Sequence, residues 1–147
     1  VRLCHYDNRW SGIEIELDLD SRLPAWYASE NQFKQVCMHV LENALDALQD
    51  RQDARLRLQT RLDTEHGIVI SFEDNGNGVD EDKLQTIFEP FYSTKAVGGG
   101  TGLGLAICLA IVESFDGAIR AEQACGGGLR IVIELPLGNS AHPEIAA

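Results

Sequence analysis

Residues 30–49, ENQFKQVCMHVLENALDALQ, decide the fold because they carry a clear amphipathic helix pattern. Apolar residues recur at helical spacing from Phe33 to Leu48, which predicts a helix with one buried face. Ser29 stands just before the stretch and Gln32 follows three residues later, which is the signature of a capping box at a helix start. The stretch therefore predicts an amphipathic helix over residues 30–49.

Strand patterns flank this helix on both sides. Before it, residues 12–20 (GIEIELDLD) alternate apolar and acidic side chains, which predicts a strand with one face in the core. After it, residues 54–62 alternate and residues 67–73 are rich in β-branched side chains, and the polar stretch between them suits a hairpin. Two final strands, near 118–124 and 128–135, are joined by the glycine-rich turn CGGG.

Two further helices are expected between the hairpins. Asp80 is placed to begin a short helix that runs through residue 87. Residues 102–115 are nearly all apolar, which predicts a largely buried helix that ends at Gly117 as a C-terminal cap. Antiparallel hairpins with helices on one face favour an α+β, two-layer sandwich. We predict a mixed, mainly antiparallel sheet of about five strands packed against about three helices.

Composition limits the function classes. The length of 147 residues suits one domain, which we place at residues 13–136, between a lead-in at 1–12 and a disordered tail at 137–147. The net charge of -11 argues against nucleic acid or an anionic membrane as a partner. The N-terminus has neither an initiator Met nor the pattern of a signal peptide, so we expect a fragment of a longer protein.

The stretch GGGTGLGLAI, residues 98–107, places five glycines directly before an apolar helix pattern. It lacks the third glycine of a dinucleotide fingerprint, and Leu105 stands where a P-loop requires Lys. Backbone amides at a helix start form an anion site, and glycines let a phosphate approach without a β-carbon in the way. From these residues alone, a flexible loop with a close helix–sheet contact is an equally good interpretation.

Three other elements carry polar groups that suit a nucleotide. Asp74 follows a strand and precedes Gly76 and Gly78, so its carboxylate can accept from an exocyclic amine, although an ordinary turn is favoured on its own. His39 and Asn43 share one side of the helix, where an amide oxygen can bind Mg²⁺; a solvated polar face is the commoner outcome. In the aromatic segment at 87–95, Lys95 can add a cation for a terminal phosphate.

Together these elements resemble one family. QVCMHVLENALDAL resembles the N box, EDNGNGVD the G1 box, IFEPFYSTK the F box and GGGTGLGLAI the G2 box of the catalytic and ATP-binding domain of sensor histidine kinases, the HATPase domain with the Bergerat fold. Order and spacing match from about residue 13 to 136. The loop from about 92 to 101 matches the ATP lid and is short, as in nitrogen-regulation-type kinases.

The resemblance implies Mg·ATP binding and assigns roles to individual residues. Asn43 matches the residue that coordinates Mg²⁺ between the ATP phosphates, and Asp74 matches the acceptor for the adenine amino group. Gly76 and Gly78 match the glycines that flank the base. No side chain is assigned as a nucleophile. The remaining residues implied to bind ATP belong to the phosphate-binding loop and are Lys95, Thr101, Gly102, Leu103 and Gly104.

His39 departs from the family pattern. Most histidine kinases carry an Asn at this position, so a contact between His39 and the metal is uncertain. The gyrase, chaperone and mismatch-repair ATPases of the same superfamily carry a Glu there that activates water. Its lack here favours phosphoryl transfer to a separate acceptor over ATP hydrolysis. An ATP-gated ATPase or conformational module of that superfamily is the alternative function.

The acceptor histidine is not recognisable in this chain, since none of its four histidines has the sequence setting of a phosphoacceptor. The resemblance therefore implies two protein partners: the histidine-bearing dimerisation domain of the parent protein and the receiver domain of a response regulator. It also implies a cytoplasmic domain, monomeric when isolated, from a homodimeric parent that can be anchored in the inner membrane.

Overall fold

The computed structural model describes residues 10–92 and 102–138 of the chain. Two α-helices and five strands form its framework, and two short 3-10 turns, Glu81–Lys83 and Thr86–Phe88, occupy the region after the third strand. In chain order the main elements are β1 (Glu14–Asp18), α1 (Glu30–Leu48), β2 (Arg55–Asp63), β3 (Gly67–Asp74), α2 (Gly104–Ser114), β4 (Ala118–Gln123) and β5 (Leu129–Leu135).

The five strands form one mixed sheet with the order β1-β2-β3-β5-β4. β1 runs parallel to β2, and every other neighbouring pair is antiparallel. The parallel pair is possible because α1 supplies the long crossover connection that two parallel strands require. The predicted α+β sandwich with a mixed, mainly antiparallel sheet is confirmed, and its third, short helix consists of the two 3-10 turns.

The helices cover one face of the sheet and leave the other to charged side chains. On the uncovered face Arg61 pairs with Asp18 at 2.6 Å, and Arg120 pairs with Glu134. The covered face buries apolar side chains from both helices and from the central strands β3 and β5. The deeply buried side chains of this core include Val36, Val40, Phe72, Cys108, Val112, Ile131, Ile133 and Leu135.

The start of α1 is as the sequence predicts, whereas the end of α2 is not. At the start of α1, the Ser29 side chain accepts a hydrogen bond from the Gln32 amide at 3.4 Å, which confirms the predicted N-cap. The prediction that Gly117 caps α2 is wrong, because Asp116 takes the left-handed conformation with φ of 57°. Gly117 is the next residue, and its amide donates to Val112 O at 3.0 Å.

Two burial predictions are also wrong. In β1, Ile15 and Leu17 face the helical layer but remain 39% and 43% exposed, because β1 is an edge strand and a pocket lies between these side chains and α1. The sequence predicted a largely buried α2, but only one side of the helix is buried. Its buried residues are Cys108, Ile111 and Val112. Asp80 precedes a 3-10 turn and its side chain makes no capping hydrogen bond.

Within residues 10–92 and 102–138, no helix is both long enough and apolar enough to cross a bilayer.

Candidate functional site

Asp74 is the last residue of β3, and it is buried with 5% of its surface exposed. Its Oδ1 accepts hydrogen bonds from the Gly76 amide at 2.9 Å and from the Leu129 amide at 3.4 Å. Burial raises the pKa of this carboxyl group above its ordinary value, and the two amides oppose that effect. Both bonds engage Oδ1, so Oδ2 has no donor among the described residues and can accept from a ligand.

Gly76 brings the loop after β3 into contact with the last turns of α1. A β-carbon at this position would lie 2.6 Å from the Ala47 main-chain oxygen and 2.8 Å from the Ala47 β-carbon. Both distances are shorter than any normal contact, so the site accepts only glycine without movement of the loop or the helix. The backbone of the loop is thereby held against α1, beside the Asp74 carboxylate.

The turn between β4 and β5 closes on the other side of this loop. A β-carbon on Gly128 would lie 1.7 Å from the Asp74 main-chain oxygen, and one on Gly78, whose φ is +68°, would lie 2.5 Å from Gly127 O. The sequence analysis did not predict that this turn contributes to the site. Its run of three glycines, residues 126–128, was the available signal, because consecutive glycines permit backbone-to-backbone packing.

The second part of the site lies at the start of α2. Gly104 is its first residue, and a β-carbon there would lie 3.2 Å from His39 Nδ1. Leu103, the residue before Gly104, makes no side-chain capping hydrogen bond at the helix start. The amides of the first turn therefore suit an anion. His39 Nδ1 is also 3.8 Å from Glu42 Oε2.

The entrance to this helix is fixed by a main-chain contact. The Phe91 amide donates to Gly102 O at 2.9 Å, and a β-carbon on Gly102, whose φ is +66°, would lie 2.6 Å from the Phe91 carbonyl carbon. Phe88 and Tyr92 pack against the core, whereas Phe91 is 78% exposed. Lys95 and Thr101, which the resemblance predicts to bind phosphates, lie outside the described residues, as does all of the predicted lid (about 92–101) except Tyr92.

One side of α1 connects the two parts. His39, Asn43 and Ala47 are spaced four residues apart and therefore lie on the same side of the helix. His39 is next to Gly104 and Ala47 is next to Gly76, so Asn43, which is half-buried, lies between them. Of the predicted site residues, Gly76 and Gly104 approach this side of α1 directly. The other predicted site residues within the described part of the chain are Asn43, Asp74, Gly78, Gly102 and Leu103.

The metal prediction rests on Asn43 alone within the described part of the chain. No group of three or more His, Cys, Asp and Glu side chains there could hold a metal ion by itself. Asn43 supplies one amide oxygen, a ligand type that suits Mg²⁺ when phosphate oxygens and water complete the shell. The donor set therefore fits a metal that arrives with a nucleotide rather than a metal held by protein side chains.

Comparison with known proteins identifies one family. Residues 28–139 match the family described as "Histidine kinase-, DNA gyrase B-, and HSP90-like ATPase". Sporulation kinase E of Bacillus subtilis is 38% identical over 142 residues, which covers 97% of this chain and 19% of that protein. The signal transduction histidine-protein kinase AtoS of Escherichia coli is 36% identical over 139 residues, which covers 92% of this chain and 22% of that protein.

Solved structures give the same picture. Full-length ShkA in complex with AMPPNP superposes with a TM-score of 0.73 at 30% identity, over 85% of this chain and 26% of that one. A nucleotide-free catalytic domain of the histidine kinase ThkA superposes with a TM-score of 0.77 at 26% identity, over 92% of this chain and 87% of that one. The likeness thus extends over nearly the whole of an isolated catalytic domain.

The family match covers residues 28–139, which is most of the chain. The chain spans about a fifth of the length of sporulation kinase E and of AtoS, so it corresponds to one domain of such proteins. It belongs to the histidine kinase-, DNA gyrase B- and HSP90-like ATPase family, as an ATP-binding catalytic domain of the sensor histidine kinase type.

Proposed function

We propose that the chain binds Mg·ATP along the side of α1 formed by His39, Asn43 and Ala47 and donates the γ-phosphate to a histidine on another domain. One observation carries the proposal: one side of α1 has the buried Asp74 carboxylate near Ala47 and the start of α2 near His39. These two α1 positions are eight residues apart, or about 12 Å along the axis. A nucleotide with its base at one end and its phosphates at the other fits this layout.

The Asp74 end suits adenine. Asp74 Oδ2 has no described donor and can accept from the exocyclic amino group, while Oδ1 is held by the Gly76 and Leu129 amides. A buried acceptor of this kind discriminates strongly, because a base without the matching donor leaves the carboxylate unpaired. Gly76 and Gly78 keep the loop free of side chains where the plane of the base would lie.

The Gly104 end suits the phosphates. Gly102, Leu103 and Gly104 bring main-chain amides to the start of α2, where the helix dipole favours negative charge. The net charge of -11 means that the overall field opposes an anionic ligand, so binding has to come from such local donors. We assign Thr101 and Lys95 to the same phosphates, the first through its amide and the second through its ammonium group.

Asn43 lies between the two ends and is the residue that would hold Mg²⁺, together with phosphate oxygens and water. When bound, Mg²⁺ neutralises charge on the phosphates and thereby favours departure of the γ-phosphoryl group. The protein groups contribute position: Asp74 fixes the base, the start of α2 fixes the phosphate chain, and Asn43 fixes the point between them. His39 is close enough to Gly104 to contact the phosphates, and we leave its contact with the metal unassigned.

We assign the acceptor and the partners to other parts of the protein. The acceptor is a histidine on the dimerisation domain of the parent, and the phosphoryl group then passes to the receiver domain of a response regulator. We propose a cytoplasmic location, because ATP is available there, and a homodimeric parent. The names of sporulation kinase E and AtoS support a signalling kinase, and each describes a protein much longer than this chain.

A second candidate follows from one contact. Glu42 approaches His39 within 3.8 Å, so a carboxylate and an imidazole stand together near the phosphate end. Such a pair can orient and deprotonate water, which would make the domain an ATPase that gates a partner. The description of the matched family names ATPases as well as histidine kinases.

The test measures binding, transfer and hydrolysis on the same chain. We expect calorimetric titration to show ATP binding that strengthens with Mg²⁺, and labelled γ-phosphate to appear on the separately supplied histidine domain of the parent. Steady-state hydrolysis should be much slower than that transfer. Rapid Mg²⁺-dependent turnover without the acceptor would support the ATPase instead, and lack of ATP binding would refute both.

A further inference from the structure

Asn75 makes three hydrogen bonds to the chain segment that leads into β2. Its Oδ1 accepts from the Arg55 amide at 2.7 Å, its Nδ2 donates to Asp53 O at 2.8 Å, and its own amide donates to Arg55 O at 3.2 Å. A side chain that satisfies both its acceptor and its donor in one direction is held in a single orientation. Asn75 is therefore attached to the start of β2 through both its main chain and its side chain.

These bonds begin where the regular ladder stops. The last register pair between β2 and β3 is Leu56 with Asp74, so beyond Asp74 no strand pairing holds the chain. Asn75 continues the attachment by one residue, through main-chain and side-chain groups together. The two peptide units around Asp74 are consequently fixed from both directions, by the ladder before it and by Asn75 after it.

The fixed backbone determines where the Asp74 carboxylate points. Gly76 and Leu129 hold Oδ1, but the Gly76 amide belongs to the same loop and moves with it. Asn75 is the link between that loop and the sheet. On the opposite side, a β-carbon on Gly128 would lie 2.9 Å from Asn75 Cα, so the loop is enclosed between β2 and the β4–β5 turn.

We infer that Asn75 is a positioning residue for nucleobase recognition, which acts through Asp74 by tying the loop after β3 to the start of β2. The inference rests on the proposed function, in which Asp74 accepts from the adenine amino group. Without Asn75 the carboxylate remains present but its direction is less defined. The expected consequence is a loss of selectivity for the amino group rather than a uniform loss of nucleotide affinity.

The readout is therefore the ratio of ATP to ITP affinity, because ITP carries an oxo group in place of the amine. We expect the natural chain to prefer ATP by about 10-fold or more, as a hydrogen bond to a charged group provides. Asn75→Ala should reduce that preference by about 5-fold or more. A merely structural role would lower the folded fraction, which scales both affinities equally and leaves their ratio unchanged.

Two variants make the comparison sharper. Asn77→Ala is the matched control, because Asn77 is exposed in the same loop and makes none of these bonds. Asn75→Asp keeps the acceptor for the Arg55 amide and loses the donor to Asp53 O, so its selectivity should fall between those of Asn75→Ala and the natural chain. It also preserves the test if Asn75→Ala does not fold.

A double-variant cycle separates the possible failures. If Asn75 acts through Asp74, then Asn75→Ala should change the ATP to ITP ratio in the natural chain and leave it unchanged in the Asp74→Ala background. A full ATP preference in both Asn75 variants, with that preference lost in Asp74→Ala, would overturn the role of Asn75 alone. An unchanged ratio in Asp74→Ala would overturn the Asp74 assignment and the inference with it.

Discussion

Gly76 and Ala47 are in main-chain contact so close that a β-carbon on Gly76 would lie 2.6 Å from the Ala47 oxygen. We therefore expect Gly76→Ala to push the loop away from α1, to destabilise the fold by about 1–3 kcal/mol and to weaken ATP binding. Urea unfolding and calorimetric titration measure the two effects. Gly138→Ala is the control: its site, with φ of +85°, is open, so backbone strain should lower stability while ATP affinity stays unchanged.

The burial of Asp74 gives a prediction about pH. Burial raises the pKa of this carboxyl group in the folded state above its unfolded value of 3.8. The folded state then holds its proton to higher pH, so stability falls as pH rises from the unfolded to the folded pKa, and the cost persists at neutral pH. Asp74→Asn removes that cost. We expect a higher Tm than the natural chain at pH 7, together with weaker ATP binding.

The control for this prediction is the same comparison at pH 3.5, below the unfolded pKa of 3.8, where the advantage of Asp74→Asn should shrink. Asp82→Asn, at an exposed position, should not reproduce the gain at pH 7. A lower Tm for Asp74→Asn at neutral pH would mean that the bonds from Gly76 and Leu129 outweigh the burial of the charge. Unchanged ATP affinity would contradict the adenine assignment itself.

The sequence predicted the helix, the strands and the hairpins because each depends on a local period. It could not predict how far β1 is covered: the alternation of Ile15 and Leu17 shows which side faces inward, but only the packed structure shows that a pocket separates them from α1. The prediction of a helix cap at Gly117 was wrong for a similar reason. Asp116 also tolerates the left-handed conformation, and the contact of Gly117 with Glu134 O, where a β-carbon would lie 2.5 Å away, demands glycine there instead.

The residues of the candidate site were likewise predictable only in part. Asp74, Asn43 and the glycines around them were recognisable because they occur in short motifs along the chain. The contributions of Leu129 and Gly128 were missed, because a contact across more than 50 residues of sequence has no local pattern. Asn75 is an intermediate case: its place within the motif was visible, but its bonds to Asp53 and Arg55 depend on how β2 and β3 align.

Asn43 allows a test of the metal assignment. Asn43→Ala removes the amide oxygen, and we expect the affinity for ATP in the presence of Mg²⁺ to fall about 10-fold or more. Affinity measured with a chelator present should stay within about 2-fold, because the base and phosphate donors are untouched. Stability should not decrease, since Ala favours a helix interior over Asn by about 0.6 kcal/mol. Asn31→Ala, at an exposed position near the start of α1, is the control.

Phe91 allows a test of how the entrance to α2 is held. Its φ of 67° is unfavourable for a bulky residue, and the bond from its amide to Gly102 O keeps it there. Its side chain is 78% exposed and contributes little packing within the domain. Asn tolerates this conformation, so we expect Phe91→Asn to stabilise the isolated chain by about 0.5–1 kcal/mol in urea unfolding. Tyr27→Asn, at a 73% exposed position with no positive φ, should give no such gain. An equal gain in both variants would attribute the effect to the loss of an exposed aromatic side chain and not to relief of backbone strain.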